Sequence, residues 1–244
     1  MKILVIPDVH LKPYIFDEAR NITEVRDVDN VVCLGDIVDD WGQDANIALY
    51  EKTMDSMIRF AEGFPDALWC WGNHDISYIW QEYESGYSGL AENTVRQKLG
   101  LFERTLKEHR QLAYVHRVDN ALFSHGGLSE EFVRRIQMKY QIPMSEVDDI
   151  DGLLQKINML KQEDMWVNES PLWLRPQYSG YKMYRSDEYI QIIGHTPVPD
   201  ISMEDSFIST DVFSTTRDGK SIGRPGFLLI DTETLETTAV RKKS

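Results

Sequence analysis

The chain has 244 residues, 42% hydrophobic and 27% charged, enough for a sizeable core in one large domain or two small ones. It contains no run of eighteen apolar residues, which excludes a membrane-spanning helix. Its net charge of −14 opposes phosphate backbones, so strong non-specific nucleic-acid binding is not expected, whereas attraction of cations is.

The N-terminal MKILVIPDVH lacks the long apolar stretch of a secretory signal, and a cytoplasmic location is expected. Residues 1–7 predict a buried strand that stops at Asp8. A second apolar run, 30–34, stops at Gly35-Asp36. The spacing over 44–62 predicts a helix packed on a sheet. A third run, 67–71, stops at Gly72-Asn73-His74-Asp75, and 93–109 predicts another helix. The run 121–124 stops at His125-Gly126-Gly127. A helix over 129–139 follows, with Ser129 as its N-cap and Glu130 and Glu131 in its first turn. Residues 148–163 predict a further helix, and 189–193 a strand stopping at Gly194-His195. The segment 226–240 reads as two alternating strands around a polar turn.

Continuous rather than alternating apolar runs are the mark of strands covered on both faces. Strands alternating with helices predict sheets flanked by helices, with a site at the strand ends. No repeat or Gly/Ser linker interrupts the chain, so a single domain, 1–244, is expected. Two aromatic-rich stretches, 76–90 and 140–184, are candidate walls of a substrate cleft. Cys33 and Cys70 lie in apolar segments and read as buried reduced thiols.

Asp8-x-His10 puts a carboxylate and an imidazole on one side of a strand end, a pair suited to a divalent ion. Gly35 permits a sharp turn that would bring Asp36 to the sheet edge. Asn73 ends a buried strand, where its carbonyl oxygen needs a partner. His74, next to it, is placed for proton transfer. Singly, most of these signals fit a turn, a cap or a satisfied histidine equally well. Jointly, Asp8, His10, Asp36, Asn73, His125 and His195 supply a ligand set for two adjacent divalent ions.

In this order D-x-H, GD-x-x-D, GNHD, HGG and GHT resemble the calcineurin-like metallophosphoesterases. HGGLS and GDIVD are most similar to the branch of the serine/threonine protein phosphatases and their bacterial and phage relatives. The motifs run from position 8 to 196. The resemblance implies an α/β (α+β) fold, a four-layer αββα sandwich of two mixed β-sheets flanked by helices. It implies that Asp8, His10 and Asp36 hold one metal, and that Asp36, Asn73, His125 and His195 hold the other. His74 would be the general acid, paired with Asp39, and Asn73 would also face substrate. A hydroxide held between the ions would attack phosphorus in line.

Two departures are legible. Other branches carry G-H-x-H, and here Pro197 takes the place of the second His. The protein phosphatases carry a phosphate-gripping Arg directly after the second Asp of GD-x-x-D, and here that position is Asp40. Arg175, in PLWLRP, is the candidate replacement.

The expected activity is that of a phosphomonoesterase with two divalent ions, Mn²⁺ first, with Fe or Zn²⁺ as alternatives. Its substrate would be a phosphoprotein, a nucleotide or a small phosphoester. The rivals are a phosphodiesterase or dinucleoside polyphosphate hydrolase, with aromatics such as Trp41, Tyr78, Trp80, Tyr83, Trp166 and Trp173 stacking a base, and an inactive scaffold.

Overall fold

The structure, a computed structural model, describes residues 1–204 and 206–241. Its strands are β1 (Lys2–Ile6), β2 (Asn30–Cys33), β3 (Leu68–Cys70), β4 (Leu112–Ala113), β5 (Val115–Val118), β6 (Ala121–Ser124), β7 (Ile190–Ile193), β8 (Ser202–Met203), β9 (Phe207–Ser209), β10 (Phe227–Asp231) and β11 (Thr237–Val240). Its helices are α1 (Tyr14–Val25), α2 (Ile47–Gly63), α3 (Asn73–Trp80), α4 (Glu92–Thr105), α5 (Glu130–Tyr140), α6 (Met144–Asp148), α7 (Ile150–Ile157), α8 (Gln162–Met165) and α9 (Pro176–Ser179).

One sheet runs β11-β10-β1-β2-β3-β4, parallel from β1 to β4 and antiparallel at β10 and β11. The other runs β5-β6-β7-β9-β8, parallel from β6 through β9. Side chains of a strand alternate between faces, and both faces are apolar here. Ile3, Val5, Val32 and Leu34 meet Phe123, Ile192 and Ile208 in a core between the sheets. Leu4, Ile6, Val31 and Cys33 point the other way, against α1, α2 and α4. On the far side, α5 and α7 cover the second sheet through Phe132, Ile136, Leu153 and Ile157. The four layers are helix, sheet, sheet, helix, as the sequence resemblance implied. Both cysteines are buried and free. Cys33 faces the helices and Cys70 the inter-sheet core, on opposite faces of one sheet.

Local expectations fail at a few places. The helix predicted over 148–163 is two, α7 and α8. It stops at Ile157 because Asn158 turns to β5: its carboxamide oxygen accepts from the Tyr114 and Val115 amides at 3.0 Å each, and its nitrogen donates to the Val115 carbonyl at 2.9 Å. The GNHD segment forms the N-cap and opening turn of α3. The Ser129 cap is present, its hydroxyl accepting from the Phe132 amide at 3.1 Å. Among the described residues no helix is long and apolar enough to cross a membrane.

Candidate metal centre

The carboxyl ends of β1, β2 and β3 lie side by side, and the loops leaving them face those after β6 and β7. Close backbone approach makes this possible. A Cβ at Gly72 would collide with the amide and carboxylate of Asp36, and one at Gly194 with the carboxylate of Asp8. His10, Asp36, Asp39 and His195 all hold left-handed backbone, with φ of 43°, 48°, 62° and 61°. Such non-glycine conformations cost about 1–3 kcal/mol each and persist where surrounding contacts enforce them. Here the contacts are visible: the Val9 and His10 amides donate to the Asp36 carbonyl at 2.9 and 2.8 Å, and the His195 amide to the Asp8 carboxylate at 2.9 Å.

The side chains fall into two groups that share one residue. Asp8, His10 and Asp36 bring ligand atoms within 4.8 Å of one another, and so do Asp36, His125 and His195. Asn73 joins the second group, its Oδ1 2.9 Å from His125 Nε2. Outer contacts set which nitrogen each imidazole presents. His10 Nδ1 donates to the Asp39 carbonyl at 2.8 Å, leaving Nε2 toward Asp36, 3.7 Å away. His125 Nδ1 donates to the Leu34 carbonyl at 3.0 Å. Its Nε2 then faces Asn73 Oδ1 at 2.9 Å, His195 Nδ1 at 3.1 Å and an Asp36 oxygen at 3.2 Å.

Atoms that offer lone pairs repel at such distances unless a cation sits among them. Three further observations fit a metal pair. Asp8 Oδ1 and His195 Nε2 are buried without a hydrogen-bond partner. Asp8, Asp36, Asp39, Asp75 and Asp211 are all buried, and among the described residues none is paired with a Lys or Arg. The donors, carboxylate, imidazole and one amide oxygen, suit divalent ions of borderline hardness.

The electrostatics carry the same strain. Burial and the charge of Asp211 push the Asp8 carboxyl well above its ordinary range, and burial and Asp36 push Asp75 up to about 7. Burial opposes ionisation of Asp36 too, but His125 and His74 outweigh it and hold that carboxyl well below the usual range. Burial likewise opposes charge on His125, yet Asp36 and Asp8 raise it to about 9. Burial and the charges of His125 and Arg175 keep His195 neutral. A metal ion bound at His125 would have to displace that proton.

Beside this cage stands His74, its Nδ1 donating to Asp39 at 3.0 Å. Asp39 is itself clamped. Its other oxygen accepts from the hydroxyls of Tyr50, on α2, at 2.8 Å and Tyr78, on α3, at 2.6 Å. Burial disfavours a charged His74, but Asp36 and Asp39 overcome it and lift its pKa to about 9. Asp75 braces the same loop from behind, accepting from the Ile37 amide at 2.8 Å.

Arg175 reaches the cage from 140–184, donating to the His195 carbonyl at 2.6 Å and the Thr196 hydroxyl at 3.2 Å. Asp40 turns to Lys12 at 2.8 Å and to the Thr215 hydroxyl at 2.6 Å. Its charge is therefore offset rather than aimed at an incoming phosphate. A cleft of about 380 Å³ runs over His10, Asp36, His74 and His195, with Arg175 and Pro197 on its wall. The stretch 76–90 contributes Ser85 and Gly86 to it. Of the aromatics named as base-stacking candidates, Trp41 lines this cleft. Tyr78 is in the core, and Trp80, Trp166 and Trp173 pack edge-on in a chain that ends on His195.

Tyr50, Asp75, Lys12 and Asp211 escaped the sequence reading, and Tyr78, expected as a base-stacking candidate, is instead a buried partner of Asp39. Only Asp75 sits inside a motif. The others have no local signal and enter by tertiary contact.

Two sheets back to back, with a shared-carboxylate cage and an imidazole–carboxylate pair at their common edge, define a metal-dependent hydrolase of phosphoesters. The chain belongs to the calcineurin-like phosphoesterase family, whose model matches residues 1–218; that family uses a centre of two divalent metal ions. Among solved structures it resembles a cold-active protein-tyrosine phosphatase of a psychrophilic Shewanella species, at 16% identity and a TM-score of 0.57, over 98% of this chain and 80% of the other. It also resembles a protein serine/threonine phosphatase from Saccharomyces cerevisiae, at 15% identity and a TM-score of 0.57, over 100% of this chain and 81% of the other. At these identities the likeness is one of fold. Comparison with curated proteins gives no match.

Proposed function

We propose that this protein is a single-domain phosphomonoesterase of the protein-phosphatase-like branch. In this reading Asp8, His10 and Asp36 hold one divalent ion, and Asp36, Asn73, His125 and His195 the other. When bound, such a pair acidifies a water and draws charge from the phosphoryl oxygens. The chain's own residues do the rest. Arg175 supplies a fixed guanidinium for a phosphoryl oxygen, and Asn73 borders the same oxygen. His74 donates its Nε2 proton to the leaving oxygen. Asp39 holds Nδ1, so the ring keeps both its orientation and its positive charge.

The observation that carries the monoester reading is Arg175. A monoester arrives with up to two negative charges, one more than a diester. Arg175 adds a cation to the cage, locked by its bond to the His195 carbonyl. The two structural relatives are phosphatases by name, which agrees. A second reading, a phosphodiesterase or dinucleotide hydrolase, draws on Trp41 at the cleft rim, where a base could stack.

Turnover of p-nitrophenyl phosphate and bis(p-nitrophenyl) phosphate with Mn²⁺ separates them. The proposal expects kcat/KM for the monoester to exceed that for the diester by at least about 100-fold, since the diester lacks the charge that Arg175 answers. A preference for the diester, or for a dinucleoside tetraphosphate, overturns it. Mn²⁺ is proposed because the cage sets carboxylate and amide oxygens beside its imidazoles. A cytoplasmic location is proposed on the two free buried thiols.

A further inference from the structure

We infer that Arg217 is a specificity-determining residue, gripping a second negative group on the leaving-group side of the substrate. This rests on the phosphomonoesterase reading and adds a substrate class to it: phosphomonoesters whose leaving group carries a carboxylate or another phosphate.

The placement follows from the chain itself. Asp39 holds His74, the residue assigned to the leaving oxygen. Asp40 and Trp41 come next in sequence and continue along the same rim of the cleft. A second segment is fastened to them. After β9 the chain returns as a short hairpin, closed by a bridge between Thr215 and Ser221 and by the Thr216 amide donating to the Lys220 carbonyl at 2.8 Å. The hairpin is tied to the rim twice. The Thr215 hydroxyl donates to Asp40 at 2.6 Å, and the Arg217 guanidinium lies over the Trp41 ring, 4.8 Å from its centroid. Lys12 completes the joint through Asp40.

The two arginines of the cleft therefore have different addresses. Arg175 is bonded to the backbone of a cage residue and faces the phosphoryl group. Arg217 is stacked on the rim beside the acid's side. No carboxylate among the described residues pairs with it, although Lys220 and Asp218 on the same hairpin pair with each other at 2.6 Å. A guanidinium stacked on an indole is held in orientation while its N–H edge stays open, the geometry suited to a bidentate carboxylate or phosphate. In a chain of net charge −14, an unpaired arginine at the mouth of an acidic cleft also offsets the repulsion that a multiply charged substrate would meet.

The test compares matched pairs: a phosphoserine peptide flanked by glutamates against the same peptide flanked by glutamines, and a nucleoside 3′,5′-bisphosphate against the nucleoside 5′-monophosphate. Whichever pair shows the preference identifies the source of the second anion. The wild-type protein is expected to favour the more anionic member of at least one pair by about tenfold or more in kcat/KM, the scale of one charge-assisted hydrogen bond. Arg217→Gln should bring that ratio close to one, Arg217→Glu should invert it, and Arg217→Lys should keep part of it. Trp41→Ala should weaken it, whereas Lys220→Gln should leave it unchanged. Calorimetry with the non-hydrolysable phosphonate analogues reads the same ratios as Kd, independent of turnover. A ratio near one in the wild type for both pairs, or a ratio that survives Arg217→Gln, overturns the inference. Absence of hydrolysis with the ratios intact in binding would count against the phosphomonoesterase reading instead.

Discussion

Replacing Tyr78 with Phe removes one hydroxyl and two buried hydrogen bonds. That hydroxyl donates to Asp39 at 2.6 Å and accepts from the Ser88 amide at 2.8 Å, so it joins the clamp on the general acid's partner to the loop that walls the cleft. Losing a bond to a carboxylate costs about 1.5–3 kcal/mol, and stranding a buried amide about 1–3 more. Partial relaxation brings the expected sum to about 3–4 kcal/mol, which for a chain of this size lowers the melting temperature by about 6–16 °C. Tyr50→Phe is the internal reference. It loses one bond to the same Asp39 oxygen and should cost about 1.5–3 kcal/mol. With less support for Asp39, the His74 ring is held less firmly. Turnover of alkyl phosphates should then fall by about tenfold more than turnover of aryl phosphates, whose leaving groups need little protonation. Thermal denaturation and the alkyl-to-aryl kcat ratio measure the two effects. A Tyr78→Phe variant within about 0.5 kcal/mol of the parent, with that ratio unchanged, would refute the reasoning.

His74→Asn should keep its metal and lose about 10²–10⁴-fold in kcat on alkyl phosphates, less on aryl phosphates; equal losses on both would remove His74 from proton transfer. In the metal-free protein, the folded His74 pKa of about 9 lies above its ordinary value of 6.5. The attraction of its cation to Asp36 and its bond to Asp39 therefore stabilise fully below pH 6.5 and fade as pH rises through about 9. The melting-temperature gap between wild type and His74→Gln, followed from pH 6 to 10 in chelator, should close over that window, and a gap that widens would contradict it. His125, raised to about 9, must give up its proton to bind a metal, so binding near pH 7 should release protons, detectable in buffers of different ionisation enthalpy. Gly72→Ala puts a methyl against the Asp36 amide and carboxylate; it should cost at least about 2–3 kcal/mol and weaken metal binding together, and circular dichroism melts with metal titration read both.

The layered fold was legible because strands buried on both faces leave continuous apolar runs, and each of those at residues 2–6, 30–33 and 121–124 is one strand of the sandwich. The helix at 130–140 announced itself by Ser129. What the sequence concealed is what depends on distant partners. Asn158 breaks a helix because β5 needs its carboxamide, and α1 opens at Tyr14 with no side-chain cap. At the site, the residues at strand ends were visible because a polar group after a buried strand calls for a reason. Tyr50 and Tyr78 gave no such sign, since an apolar helix face welcomes a tyrosine and its hydroxyl finds Asp39 only in the folded chain. Asp40 stands where the protein phosphatases carry an Arg, and nothing local announces that Lys12 and the Thr215 hydroxyl hold it.

The central claim is a cage for two divalent ions sharing Asp36, and a metal count tests it most directly. The protein reconstituted with Mn²⁺, passed through a desalting column and measured by elemental analysis should hold about two ions per chain, and Asp36→Asn should lose both, because that carboxylate belongs to each group. A single ion in the wild type, or two ions retained in Asp36→Asn, would contradict the account.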